Sequence, residues 1–153
     1  MEALLPFRSA PPAFIQKVAS GTTATSATNG TFTSIAFATN DLDNNLSVIE
    51  NTSSTQLKAL VAGTFRIAHN VSILVAVNNK SFESRLLKNG ATALTQSRTT
   101  CACSNPTEGS LVQNILVDLA ANDTIEVQVA PINATAGTAQ ANSQFCMELV
   151  KFN

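Results

Sequence analysis

The sequence predicts an all-β domain, on three observations. Charged residues make up only 12% of the chain while hydrophobic residues reach 44%, against about 25% charged in an ordinary domain. Thr, Ser, Asn and Ala stand where Lys, Glu and Arg would solubilise a helix, and such side chains suit strands and turns. Apolar residues recur with a period of two, most plainly at Phe65, Ile67, Val71, Ile73, Val75 and Val77. That is the pattern of one half-buried strand or of two successive strands in one phase. Finally, Asn89-Gly90 separates two such runs, the strongest short hairpin signal. No segment sustains a 3.6-residue period, and there is no heptad or internal repeat.

Taken in order, residues 1–30 differ from the rest. Pro6, Pro11 and Pro12 forbid a long helix there. Leu4, Leu5, Phe7, Phe14 and Ile15 are more apolar than a solvated tail requires. Residues 20–30 read as a small polar linker. Two readings stand for this segment: a disordered terminus, or an extended arm that lays its apolar residues on another subunit. The domain proper is expected over 31–153. Phe32, Ile35 and Phe37 mark its first strand, and Leu46, Val48, Leu57, Ala59 and Val61 fall in short pieces around polar turns. After the 63–77 run come a turn at 78–80, a strand from Phe82 to Lys88, and a return strand from Ala91 towards Cys103. Residues 104–109 form a loop. Leu111, Ile115, Val117 and Leu119 alternate, Ala121-Asn122-Asp123 turns, and Ile125, Val127 and Val129 follow. Residues 131–142 read as a flexible loop before a last strand through Phe145, Met147 and Leu149. Roughly eight to ten short strands suit a sandwich or barrel.

Several function classes lose support at this level. Nine basic and ten acidic residues give a net charge of −1, and the basic residues are scattered, so no nucleic-acid partner is expected. No apolar run approaches the ~18 residues of a membrane span. The N-terminal stretch lacks a basic region followed by an apolar core, so no secretory signal is expected. Cys101, Cys103 and Cys146 are an odd set and are read as reduced thiols.

Each candidate for chemistry has a plainer reading. His69 is the single histidine. With no nucleophile signature around it, it reads as a histidine at a strand bend, hydrogen-bonded to backbone. Cys101 and Cys103 share a strand face and could join Cys146 and His69 around a metal. Zinc sites more often space paired cysteines by two to four residues, so buried thiols are the preferred reading. Residues 40–45 carry Asp41 and Asp43 in a calcium-like run, but Leu46 and Thr52 occupy the positions that need Gly and Glu, leaving an Asx-rich turn. Asp118 and Asp123 flank a turn, and Glu126 and Glu148 are expected to face solvent. No cofactor and no catalytic residue is expected, and the chain reads as a non-enzyme.

Four segments in order resemble the TNF-like jelly-roll family. Gly63-Thr-Phe65-Arg-Ile67 resembles the start of a central strand, and Arg85 to Gly90 the hairpin two strands later. Leu119 to Val129 resembles the element in which leucine, a short turn and an acidic residue precede an alternating strand. Asn122 stands where the family has Gly, which a turn at positive φ tolerates. Phe145 to Phe152 resembles the closing strand at the trimer axis. The resemblance covers about residues 31–153. It implies a jelly-roll β-sandwich, here with an extended N-terminal arm, and a homotrimer with Phe65, Ile67, Phe145, Met147 and Leu149 as interface candidates. Within that family the short apolar arm looks most like a phage capsid decoration, or cement, protein. The expected partner is then a major capsid protein, met through Leu4, Leu5, Phe7, Phe14 and Ile15, on a virion surface after synthesis in the host cytoplasm. The alternative is a fibre or spike tip that binds a host glycan or protein through loops 104–110 and 131–142.

Overall fold

A computed structural model of the chain describes residues 13–44, 47–133 and 135–153. It is an all-β sandwich of two antiparallel sheets. Thirteen strands are formed among the described residues: β1 (Phe14–Val18), β2 (Thr23–Ala24), β3 (Thr33–Ser34), β4 (Thr39–Asn44), β5 (Ile49–Asn51), β6 (Gln56–Ala59), β7 (Gly63–Val75), β8 (Lys80–Lys88), β9 (Thr92–Cys103), β10 (Gly109–Leu119), β11 (Thr124–Pro131), β12 (Gly137–Ala139) and β13 (Gln144–Phe152). The first sheet contains β2, β12, β7, β13, β1 and β4 in that order, with β10 on the other edge of β7. The second runs β5-β6-β11-β8-β9, with β3 alongside β11.

The odd-parity run is one continuous strand. Phe65, Ile67, Val71, Ile73 and Val75 all point into the sandwich, while Val77 lies past the strand end and is exposed. β7 is the axis of the first sheet. β10 pairs with it from Gly63 to Ile73, and β13 and then β12 share its other edge. Gly63 is required where β13 closes over it, because a Cβ there would lie 2.5 Å from the Lys151 carbonyl oxygen. The turn signals hold. Asn89 and Gly90 have φ of 53° and 66° and join β8 to β9, and Asn122 takes φ 74°.

Three expectations need correction. No domain boundary falls at residue 30: β1 is a sheet strand, paired with β13 and β4, and β2 in the expected linker pairs with β12. Residues 39–44 are the edge strand β4, not an Asx turn, because pairing with β1 supplies backbone partners that outweigh local turn preference. Lastly, the loop expected over 131–142 contains β12.

Candidate assembly interface

Alternation gives each strand of the first sheet one inward and one outward row, and register aligns the outward rows across four strands. One row runs Phe14, Glu148, Arg66, Leu116; the next Gln16, Cys146, Ala68, Asn114; the third Val18, Gln144, Asn70, Val112. Leu42 of β4 extends the middle row beside Gln16. This outer face is poor in charge. Its charged residues in those rows are Arg66 and Glu148, paired at 3.0 Å. Below them Thr64 donates to Asp118 at 2.6 Å. Val112 and Leu116 are each 57% exposed and Leu42 is 52% exposed, large values for branched aliphatic side chains on one surface. A depression of about 240 Å³ lies between β1, β13, β7 and β10, with Gln16, Asn70, Asn114 and Gln144 around Ala68 and Cys146. Burying the small residues and the apolar stripe costs little, while the carboxamides would need hydrogen-bond partners on the covering surface.

The interface residues expected from sequence lie on the opposite side of these strands. Phe65, Ile67, Phe145 and Met147 have no exposed surface within the single chain. Their side chains fill the space between the sheets and cannot line a trimer axis; Phe37 and Phe145 pack there with ring centroids 5.5 Å apart. Leu149 is half-buried against the same core. The reason is parity: a one-residue step along a strand exchanges faces. A signal for the true outer face was present at Leu111-Val112 and Ile115-Leu116-Val117. Those runs break alternation by placing aliphatic residues on both sides of β10.

Of the expected arm residues, Ile15 is fully buried in the chain's own core and is not available to a partner. Phe14 is half-buried on the outer face just described. Leu4, Leu5 and Phe7 lie outside the described residues.

The other candidates do not converge. His69 is 3% exposed, with Nε2 2.9 Å from Ser84 Oγ on the facing sheet and no partner for Nδ1. Its partner is a hydroxyl rather than backbone, and β7 runs through it unbroken. Burial lowers its pKa to about 4. Cys101 and Cys103 have sulfurs 3.5 Å apart, and burial, reinforced by Cys103, pushes the Cys101 thiol up to about 12. Cys146 sits on the outer face of the first sheet, its thiol also raised by burial and by Glu148. Among the described residues no three His, Cys, Asp or Glu side chains are grouped to hold a metal. Asp123 caps the turn after β10. Burial alone would raise its pKa, but Lys88, Asn89 and the Ala120 N–H hold it below the usual carboxylate range. Glu126 is buried, not solvated as alternation implied: Ser34, Gln56 and Gln128 all hydrogen-bond its carboxylate.

No model of a known protein family matches the chain, and no curated protein matches it. Solved structures do. Murine APRIL at pH 5.0 superposes with a TM-score of 0.68 at 12% identity, over 92% of this chain and 100% of that one. The fold is a TNF-like jelly roll. Eiger TNF from S. frugiperda gives 0.66 at 13% identity, over 94% and 96% of the two chains, and pika GITRL 0.54 at 18% identity, over 92% and 97%. In this TNF-like jelly roll the match includes residues before position 31, consistent with β1 and β2 belonging to the sandwich.

Proposed function

We propose that this chain is a homotrimeric capsid decoration protein of a bacteriophage, binding major capsid subunits on the outside of the shell. The observation that carries the trimer is the open outer face of the first sheet. Val112, Leu116 and Leu42 stand exposed there beside Ala68, Cys146 and carboxamides. A specific contact typically buries ~1,600 Å², and a four-strand face can supply its share. The decoration role is supported by the charge-poor surface, by Leu4, Leu5 and Phe7 ahead of β1, and by three free thiols, which suit synthesis in a reducing cytoplasm. The mechanism is interfacial: trimers present three arms, and many weak contacts add by avidity.

Sedimentation equilibrium tests the trimer. A mass of three 16.0 kDa chains is expected, and a single-chain mass overturns it. Electron microscopy of the source particle tests the location: density on the shell is expected, and absence from the particle removes the decoration role. Deleting residues 1–12, which leaves β1 intact, is expected to give a folded trimer that no longer binds shells; unchanged binding refutes the arm.

One observation favours the fibre-tip alternative. Two residues of its loops, 104–110 and 131–142, meet the β7–β8 turn: Asn105 donates to the Ala76 carbonyl at 3.2 Å and Asn133 donates to that of Asn79 at 3.0 Å. Val77 and Ile132 are exposed at this end. Glycan-array binding lost on Asn133→Ala would select this reading.

A further inference from the structure

Lys17 is the anomaly of the core. It projects from β1 into the sandwich with no exposed surface, and no carboxylate among the described side chains pairs with it. Its Nζ donates to Asn51 Oδ1 at 2.8 Å and to the Ser53 carbonyl. Methionine would fill the same space without burying a charge, whose transfer from water costs several kcal/mol by the usual order of magnitude. The neighbourhood therefore holds an amine where apolar packing alone would not select one.

We infer that Lys17 and Asn51 are a covalent modification site, forming an isopeptide bond that ties β1 to β5. The Nζ lone pair adds to Cγ of Asn51. The Nζ–Cγ bond forms and the Cγ–Nδ2 bond breaks. The proton lost by the attacking nitrogen passes to the departing one, which leaves as ammonia. Nothing is oxidised or reduced, and no co-reactant is consumed. Burial lowers the amine to about 8, so a useful fraction is neutral and nucleophilic in mildly basic solution; desolvation activates lysine in this way. A nitrogen hydrogen-bonded to Oδ1 already lies beside Cγ, so proximity replaces a bimolecular encounter. The product is a neutral secondary amide, which removes the buried charge. The link would close a loop spanning 34 positions in sequence, constraining the unfolded chain much as a disulfide does. This inference is independent of the capsid reading.

Mass spectrometry of the purified full chain, before and after incubation at pH 8, decides the matter. The chain is expected to be lighter than its sequence by one ammonia. Digestion should yield a branched peptide joining residues 17 and 51, with no tryptic cleavage after Lys17. Asn51→Ala should restore the unlinked mass and the cleavage. The wild-type result stands even if that variant does not fold. An unlinked wild-type chain overturns the inference. So does an ammonia loss that maps to a succinimide at Asn29-Gly30 or Asn89-Gly90, where the chemistry would be local to an Asn-Gly turn.

Discussion

The two sheets share one core but finish their outer faces differently. On the second sheet the outer face over β11 is closed within the chain. β3 lies alongside β11, and Ser34, Gln56 and Gln128 satisfy Glu126. Arg85 donates twice to Gln128, at 3.0 and 2.8 Å, and stacks on Phe32 at 3.7 Å. On the first sheet the corresponding face leaves Val112 and Leu116 in water. A buried polar group needs every partner in place, whereas an apolar stripe on a single chain stays in water unless another surface covers it. The difference separates a face completed by folding from one left open, the face that the proposed trimer would use.

Both faces depend on the shared core, so the largest effects are expected there. Phe145→Ala removes a fully buried ring packed on Phe37 and should cost about 3–5 kcal/mol, read from denaturant midpoints. A loss comparable to that of a surface site would mean that the sheets are not held by this layer. The His69–Ser84 bridge between the sheets adds a pH dependence. The folded histidine titrates near 4 and the unfolded one near 6.5. Between those values the unfolded chain holds the extra proton, so stability falls as pH drops through this window and levels off below it. The loss should approach about 3 kcal/mol. His69→Gln should remove this component, and an identical pH slope in that variant would exclude His69 as its source.

The closed face comes next. Glu126→Ala would leave the Gln56 amide and the Ser34 hydroxyl without their acceptor, while the Gln128 amide keeps the Ser34 oxygen. A cost of about 2 kcal/mol is expected, with hydrogen exchange accelerating first in residues 33–34. A change within 0.5 kcal/mol, the range of an ordinary surface site, would show that this face is not closed and would collapse the contrast between the sheets.

Part of this contrast was readable in the sequence. The alternation of β7, the Asn89-Gly90 hairpin and the positive φ at Asn122 are local properties, and local patterns report them. The burial of Glu126 is set by Ser34, 92 positions away, and no window along the chain holds both. β1 was hidden by Lys17, a cation on the inward row where alternation expects an apolar residue. β4 was hidden by Asn and Asp, whose turn preference yields to pairing with β1. Alternation also names two faces without saying which one meets a partner. The family resemblance points to the closing strand, whose inward row, Phe145 and Met147, is core rather than interface.

The open face should give the smallest effect on folding and a complete effect on assembly. Val112→Asp places a charge where 57% of the side chain is already in water. The isolated chain should therefore change by no more than about 0.5 kcal/mol. In an assembled trimer the same carboxylate would be buried in the row of Val18, Gln144 and Asn70, which holds no cation among the described residues. A buried, unpaired charge of that kind costs several kcal/mol, enough to dissociate the subunits. Sedimentation velocity on the variant should show single chains with an unchanged circular dichroism spectrum. Intact trimers would exclude the β10 stripe from the interface and leave the first sheet's outer face, like the second's, as surface already complete in one chain.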